Sequence, residues 1–242
     1  VLLSTLLGID PPALPTARLV ATAGLFGISE GTTRVALSRM AAAGEVVADD
    51  GRYRLAGRLL DRQRRQASGL HPPDAPWAGG WHLAVVTAGR RTALERGELR
   101  AALGGGRLAE WREGVWARPD NLPAPVLPPL LTGHATWLAA RPDLDPTVLA
   151  ATLWDLEGWA TTARGLVGRL STTQAALDAG DTDALAPGFV LSAAVLRHLV
   201  GDPLLPAELL PEGWPGAVLR QIYERWDAAY RAVLAGWHRA HP

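Results

Sequence analysis

The sequence predicts an α+β protein in three consecutive parts: an N-terminal winged helix-turn-helix, a central ferredoxin-like unit and a helical C-terminal region. Three observations predict it. An arginine-bearing helical stretch at residues 31–40 runs into an Asp50-Gly51 hairpin signal, strand-like and helix-like stretches alternate over residues 81–140, and from Pro146 the pattern is helical. The expected domains are therefore 1–66, 77–143 and 144–242, with the proline-rich residues 71–76 as a linker. All 10 Trp follow that linker, which marks the same boundary.

In the first part, Leu19, Val20, Ala23 and Phe26 recur at helical spacing and predict a helix over residues 14–26. Gly27 supplies a sharp turn. Ser29 is a suitable N-cap for the next helix, and Gly44 a natural stop. On a wheel of ~100° per residue, Ala36, Leu37 and Met40 share an inward face with Thr33 at its edge, leaving Arg34, Val35, Ser38 and Arg39 outward. Downstream of Asp50-Gly51, Arg52 and Arg54 alternate with Tyr53 and Leu55, so both arginines share one face of a hairpin strand. A helix with a polar, arginine-bearing face beside such a hairpin is a layout that enters a DNA groove.

Charge supports that expectation. The chain has no formal net charge, yet residues 1–65 carry nine Arg against six acids and the remainder fifteen against eighteen. Six of the nine lie in residues 52–65, placed to neutralise phosphates. The absence of Cys excludes disulfides, thiolate metal sites and cysteine nucleophiles. No apolar run reaches the ~20 residues of a membrane span, and the first residues lack a basic signal-peptide start, so a cytoplasmic protein without membrane attachment is expected.

The middle part reads as a strand at 81–87, a helix at 90–103 anchored by Leu94, Leu99 and Leu103, strands at 108–112 and 115–118, a proline-rich stretch at 122–131, and a strand at 135–140. That order is ferredoxin-like. Helices are then expected at 147–170, 189–200 and 217–237, with a proline-bounded connection at 203–215. Gly104, Gly105 and Gly106 read as a helix stop. Motifs for a serine-nucleophile elbow, a Walker A loop, a dinucleotide fingerprint or a zinc-binding helix are missing from the sequence. His238 and His241 have i, i+3 spacing, but at a terminus expected to fray, so neither a metal nor a cofactor is predicted.

Taken together, several blocks resemble the PaaX family of transcriptional regulators, named for negative control of the phenylacetic acid degradation operon. They are the helix Thr33 to Met40, the hairpin strand from Gly51 to Leu55, Trp81-His82-Leu83, the run from Arg112 to Leu122, Leu153-Trp154-Asp155-Leu156 and the run from Asp202 to Gly216. The resemblance covers nearly the whole chain. It implies a repressor of transcription with a central domain similar to the small Cas2 nucleases (Cas2-like), a homodimer, a double-stranded DNA operator and an aryl-CoA thioester, such as phenylacetyl-CoA, as effector. Thr32, Thr33, Arg34, Val35, Ser38, Arg39, Arg52 and Arg54 are then the expected DNA contacts, and two-fold symmetry predicts an inverted-repeat operator.

An effector of that class needs apolar walls and cationic donors, for which the sequence offers Trp81, Trp116, Trp154, Trp159 and Trp214 with Arg118, Arg164, Arg197 and His198. The effector-binding set expected here is Trp81, Trp116, Arg118, Trp154, Arg197, His198 and Trp214. Core packing is the competing role for each Trp. Residues 85–89 offer no acid to hold a metal at the end of the first central strand, which speaks against nuclease chemistry. No catalytic residues are expected. An enzyme of CoA-ester or nucleic-acid metabolism, or an RNA- or protein-binding adaptor, are the alternatives.

Overall fold

The computed structural model describes residues 1–72, 76–86, 92–123 and 133–240. It is mixed α/β with two antiparallel sheets. By packing, the chain divides into two compact units that interleave along the sequence: residues 1–70, 162–200 and 215–242 form the first, and 71–161 with 201–214 the second.

The first unit begins with helix α1 (Leu2–Leu7), strand β1 (Ala13–Pro15), helices α2 (Thr16–Gly24) and α3 (Glu30–Ala42), the hairpin β2 (Val46–Asp49) and β3 (Arg52–Leu55), and helix α4 (Arg58–Leu70). Leu14 and Pro15 lie in β1, so the helix expected from residue 14 starts two residues later; Pro15 is well suited to an edge strand and to the residue before a helix. β1 pairs with β3 through Ala13↔Arg54 and Pro15↔Arg52, giving the sheet order β1-β3-β2. This third strand is too short to leave a period in the sequence. One core unites these elements: Leu2 and Leu6 of α1, Leu19 and Ala23 of α2, Leu37 of α3, Val46, Leu55 and Leu59 of α4 are all buried together. Burying such leucines contributes roughly 1.5–3 kcal/mol each.

Also in the first unit are helices α8 (Leu185–Val200) and α9 (Gly216–Ala240) and the larger part of α7 (Leu156–Asp178). The indole of Trp226 stacks on Tyr230, ring centroids 5.3 Å apart, and donates to Thr173 Oγ1 at 2.9 Å. α4 crosses α8 closely, because a Cβ on Gly69 would meet the Leu199 carbonyl oxygen at 2.7 Å. Arg220 Nε donates to the Gly69 carbonyl at 2.7 Å, and Phe26 packs edge-on against Phe189. Among the described helices, the Thr182–Val200 stretch is long and apolar enough to cross a membrane by length and composition, contrary to the expectation of no such run. Its Leu185, Leu191, Val195 and Leu199 are buried as the inner face of a packed helix.

His238 also departs from expectation. Placed near the end of a 25-residue helix, it is buried at 9% exposure, with Nε2 3.4 Å from Thr22 Oγ1. His241 lies outside the described residues.

The second unit holds β4 (Trp81–Val86), α5 (Ala93–Gly105), β5 (Ala109–Arg112), β6 (Val115–Pro119), β7 (Ala135–Ala140) and α6 (Pro146–Leu153). The strand order is β5-β6-β4-β7, every neighbour antiparallel. A capping box, in which Thr92 and Glu95 satisfy each other's backbone N–H, starts α5. The proline-rich stretch around 122–131 falls largely outside the described residues. α6 and α7, expected as one helix over 147–170, are two: Trp154 is extended and Asp155 accepts from the Gly158 N–H at 2.9 Å, restarting the helix with a new cap.

Candidate nucleic-acid interface

α3 is built to present one face. Ser29 Oγ accepts from Thr32 N at 3.3 Å, which caps one of the orphan N–H groups of the first turn, and its carbonyl accepts from the Thr33 hydroxyl at 3.0 Å. Thr33 and Leu37 are buried, with Ala36 and Met40 packed beside them on the unit's core. Gly31, Thr32, Arg34, Val35, Ser38 and Arg39 face solvent, Val35 with 53% of its surface exposed. Burial removes Thr33 from the expected contact set: at 1% exposure it anchors the helix and cannot reach a base.

Arg34 pairs with Glu30, one turn earlier, at 2.7 Å, both side chains being more than half exposed. Such a pair is worth ~0.3–0.5 kcal/mol, so the guanidinium exchanges it readily for a guanine edge or a phosphate. Arg39, in the last turn, is exposed.

The hairpin adjoins α3 in sequence. Asp50 and Gly51 both have positive φ, 43° and 69°, the type I′ geometry whose twist matches that of the strands. Asp49 opposes Arg52 and Val46 opposes Leu55. Arg52 and Arg54 are exposed on the same face of β3, Leu55 is buried, and Arg52 Nη2 donates to the Ala13 carbonyl at 3.2 Å. Seven of the eight expected DNA contacts thus have exposed side chains on one helix face or one strand face.

The expected effector residues divide among three places. Trp81, Trp154 and Trp214 join one apolar cluster on one face of the second sheet, with Trp81 and Trp154 stacked at 6.5 Å and Trp214 stacked on Trp159 at 4.5 Å. Trp81 is 1% exposed, and among the described residues its indole N–H has no acceptor. Trp116 packs on the opposite face against Leu99 and Leu103 of α5. Arg197 and His198 belong to α8 in the first unit.

Arg118 is a fastening of the fold. It is 3% exposed and donates to the carbonyls of Pro119 and Gly106 and to Asn121 Oδ1, at 2.9, 3.0 and 3.3 Å. Asn121 Nδ2 in turn donates to the Leu204 carbonyl at 2.8 Å, and Arg107 to that of Asp202. Burial, with the like charge of Arg107 nearby, pulls the Arg118 pKa down to about 10. Sequence reasoning read its charge as available; the close carbonyls that absorb it leave no pattern in the chain.

Residues 1–59 match the family model described as PaaX-like protein, and residues 154–238 that described as PaaX-like protein C-terminal domain. A solved structure, the uncharacterized protein Rv0674 from Mycobacterium tuberculosis, is similar to this chain with 40% identity over 98% of this chain and 96% of that one, at a TM-score of 0.73. No curated protein matches. The first match falls on the arginine-faced module and the second on the stretch that holds α7, α8 and most of α9, and the chain belongs to the PaaX family of transcription regulators.

Proposed function

We propose that the chain is a PaaX-like repressor that holds an inverted-repeat operator as a homodimer and releases it when a small effector binds. The reading is carried by the solvent-facing set Thr32, Arg34, Val35, Ser38 and Arg39 on α3, beside a I′ hairpin bearing Arg52 and Arg54. α2, α3 and the hairpin act as a winged helix-turn-helix: α3 enters the major groove and the hairpin meets phosphates or the adjacent minor groove. The order β5-β6-β4-β7 with antiparallel neighbours supports a ferredoxin-like central domain within the expected three-domain plan of 1–66, 77–143 and 144–242. The protein works in the cytoplasm without catalysis, and the family resemblance supports an aryl-CoA thioester as the effector class.

One short helix touches too few bases to define a promoter, so two-fold symmetry doubles the contacts and spaces the half-sites by about one helical turn (~34–36 Å) or a multiple of it. The test is a footprint on duplex DNA upstream of the chain's own gene, followed by titrations of Arg34→Ala and Arg39→Ala. A forked arginine contact to guanine discriminates by ~1–3 kcal/mol, so each substitution weakens operator binding more than binding to random DNA. Equal losses on both DNAs overturn the groove assignment.

A further inference from the structure

Within the first unit, a cavity of about 160 Å³ lies between the N-terminal helices α1 and α4 and the C-terminal helices α8 and α9. Leu7, Phe189, Leu196 and Leu234 give it apolar walls. One side is polar but satisfied: Ser192 Oγ and Tyr223 OH lie 2.8 Å apart, and Asp227 is neutralised by Arg231, which also donates to the Gly8 carbonyl. Arg62 of α4 and Arg197 of α8, both exposed residues, line the same cavity, and among the described residues neither has an ion-pair partner.

Two requirements for one class of ligand meet here. An apolar cavity of about 150 Å³ holds a single six-membered ring. The Arg62 and Arg197 guanidinium groups, without an ion-pair partner among the described residues, offer forked donors matched to a carboxylate. We propose that this cavity is a binding site for a small organic acid, a monocarboxylate whose apolar body is about one ring in size, with the ring among α1, α8 and α9 and the carboxylate on Arg62 and Arg197.

The site takes a free acid and is distinct from the aryl-CoA effector of the repressor reading, on which it rests only for its consequence. α1 and α4 share one hydrophobic core with Leu37 of α3, and α4 meets α8 at Gly69 with no room for a methyl group. A ligand that changes the spacing of α4 and α8 therefore moves elements that carry the DNA-facing helix, and it lowers operator affinity to the extent that it prefers the DNA-incompetent spacing.

The test is calorimetric titration of the full chain, without DNA, with benzoate, cyclohexanecarboxylate and hexanoate. At least one acid is expected to bind one per chain below about 10 mM. Replacing both Arg62 and Arg197 by Gln should weaken it ~10-fold or more, with benzyl alcohol weaker than benzoate by a similar factor. Ala193→Phe, which fills the cavity, should abolish binding with the thermal melt retained; because Arg62 and Arg197 are exposed, the Gln variant keeps the test decisive should Ala193→Phe not fold. Absence of saturable binding by all three acids, affinity unchanged in the double-Gln variant, or binding by benzoyl-CoA alone overturns the site. A parallel gel shift separates the two ideas: acid binding without any operator binding overturns the repressor reading and keeps the site, whereas operator binding without acid binding does the reverse.

Discussion

The module of residues 1–70 and the second unit use the same residue type in opposite ways. In the module, Arg34, Arg39, Arg52 and Arg54 stand in solvent over a core made mostly of leucine. In the second unit Arg118 is buried among carbonyls, and tryptophans join leucine in the packing, with Trp81 fully buried and Trp77, Trp111, Trp154 and Trp214 packed around the cluster. The difference lies in which backbone acceptors each position meets. β3 turns Arg52 and Arg54 to an exposed face, where Arg52 donates to the Ala13 carbonyl, whereas β6 turns Arg118 inward, where it donates to the Gly106 carbonyl and to Asn121 Oδ1. An arginine is therefore available to a ligand where the fold leaves it in solvent and holds it only through weak, exposed contacts.

The largest effect that sharpens this contrast is on stability. Arg118→Met keeps the stem and removes three hydrogen bonds from the charged group, leaving the Gly106 and Pro119 carbonyls without that donor. Such losses cost about 3 kcal/mol in urea unfolding. A cost below about 1 kcal/mol would break the comparison, because Arg118 would then be no more structural than the arginines of the hairpin.

How far the sequence anticipates this varies with the range of the interaction involved. The α3 faces, the Asp50-Gly51 turn and strand β7 are written in local period and turn chemistry, and they appear where the spacing puts them. β1 is three residues long, below the length at which a period is readable. The break at Trp154 depends on a single aspartate cap inside an otherwise helical run. The burial of Arg118 and His238 escapes the sequence for a common reason: each meets a partner well along the chain, 12 and 216 residues away, and neither separation leaves a mark on neighbouring residues. The cavity beside Arg62 and Arg197 was illegible because its walls come from chain segments on both sides of the second unit.

Buried hydroxyls in the C-terminal helices predict a smaller, pH-dependent effect. Burial, with the Asp227 carboxylate nearby, pushes the Tyr230 phenol up to about 12, and Tyr223 higher still. The unfolded chain releases these protons near pH 10 while the folded chain keeps them, so their contribution is complete below pH 10 and is lost as pH rises toward 12. Tyr230→Phe should cost about 1 kcal/mol at pH 7, through the lost bond to the Leu185 carbonyl, and flatten part of the alkaline decline. An unchanged alkaline slope in unfolding titrations would refute the assignment. Next in size, Ser29→Ala should cost about 1 kcal/mol by removing the cap of α3, measured by thermal melting.

The smallest stability change should accompany the clearest change in binding. Arg52 and Arg54 are exposed, so replacing both by Ala should shift unfolding free energy by less than about 0.5 kcal/mol. The same double variant should nevertheless bind DNA with a shallower dependence of log affinity on log salt, because each phosphate contact releases condensed counterions and contributes ~0.9 to the slope. The expected flattening is up to ~2 units, with preference for operator over random DNA largely retained, since phosphate contacts position the protein without reading sequence. Titration of operator DNA at several salt concentrations measures it. An unchanged slope with unchanged stability would mean that the hairpin arginines face away from the duplex, and the contrast between exposed and buried arginine would then hold for the fold but not for the DNA-binding surface.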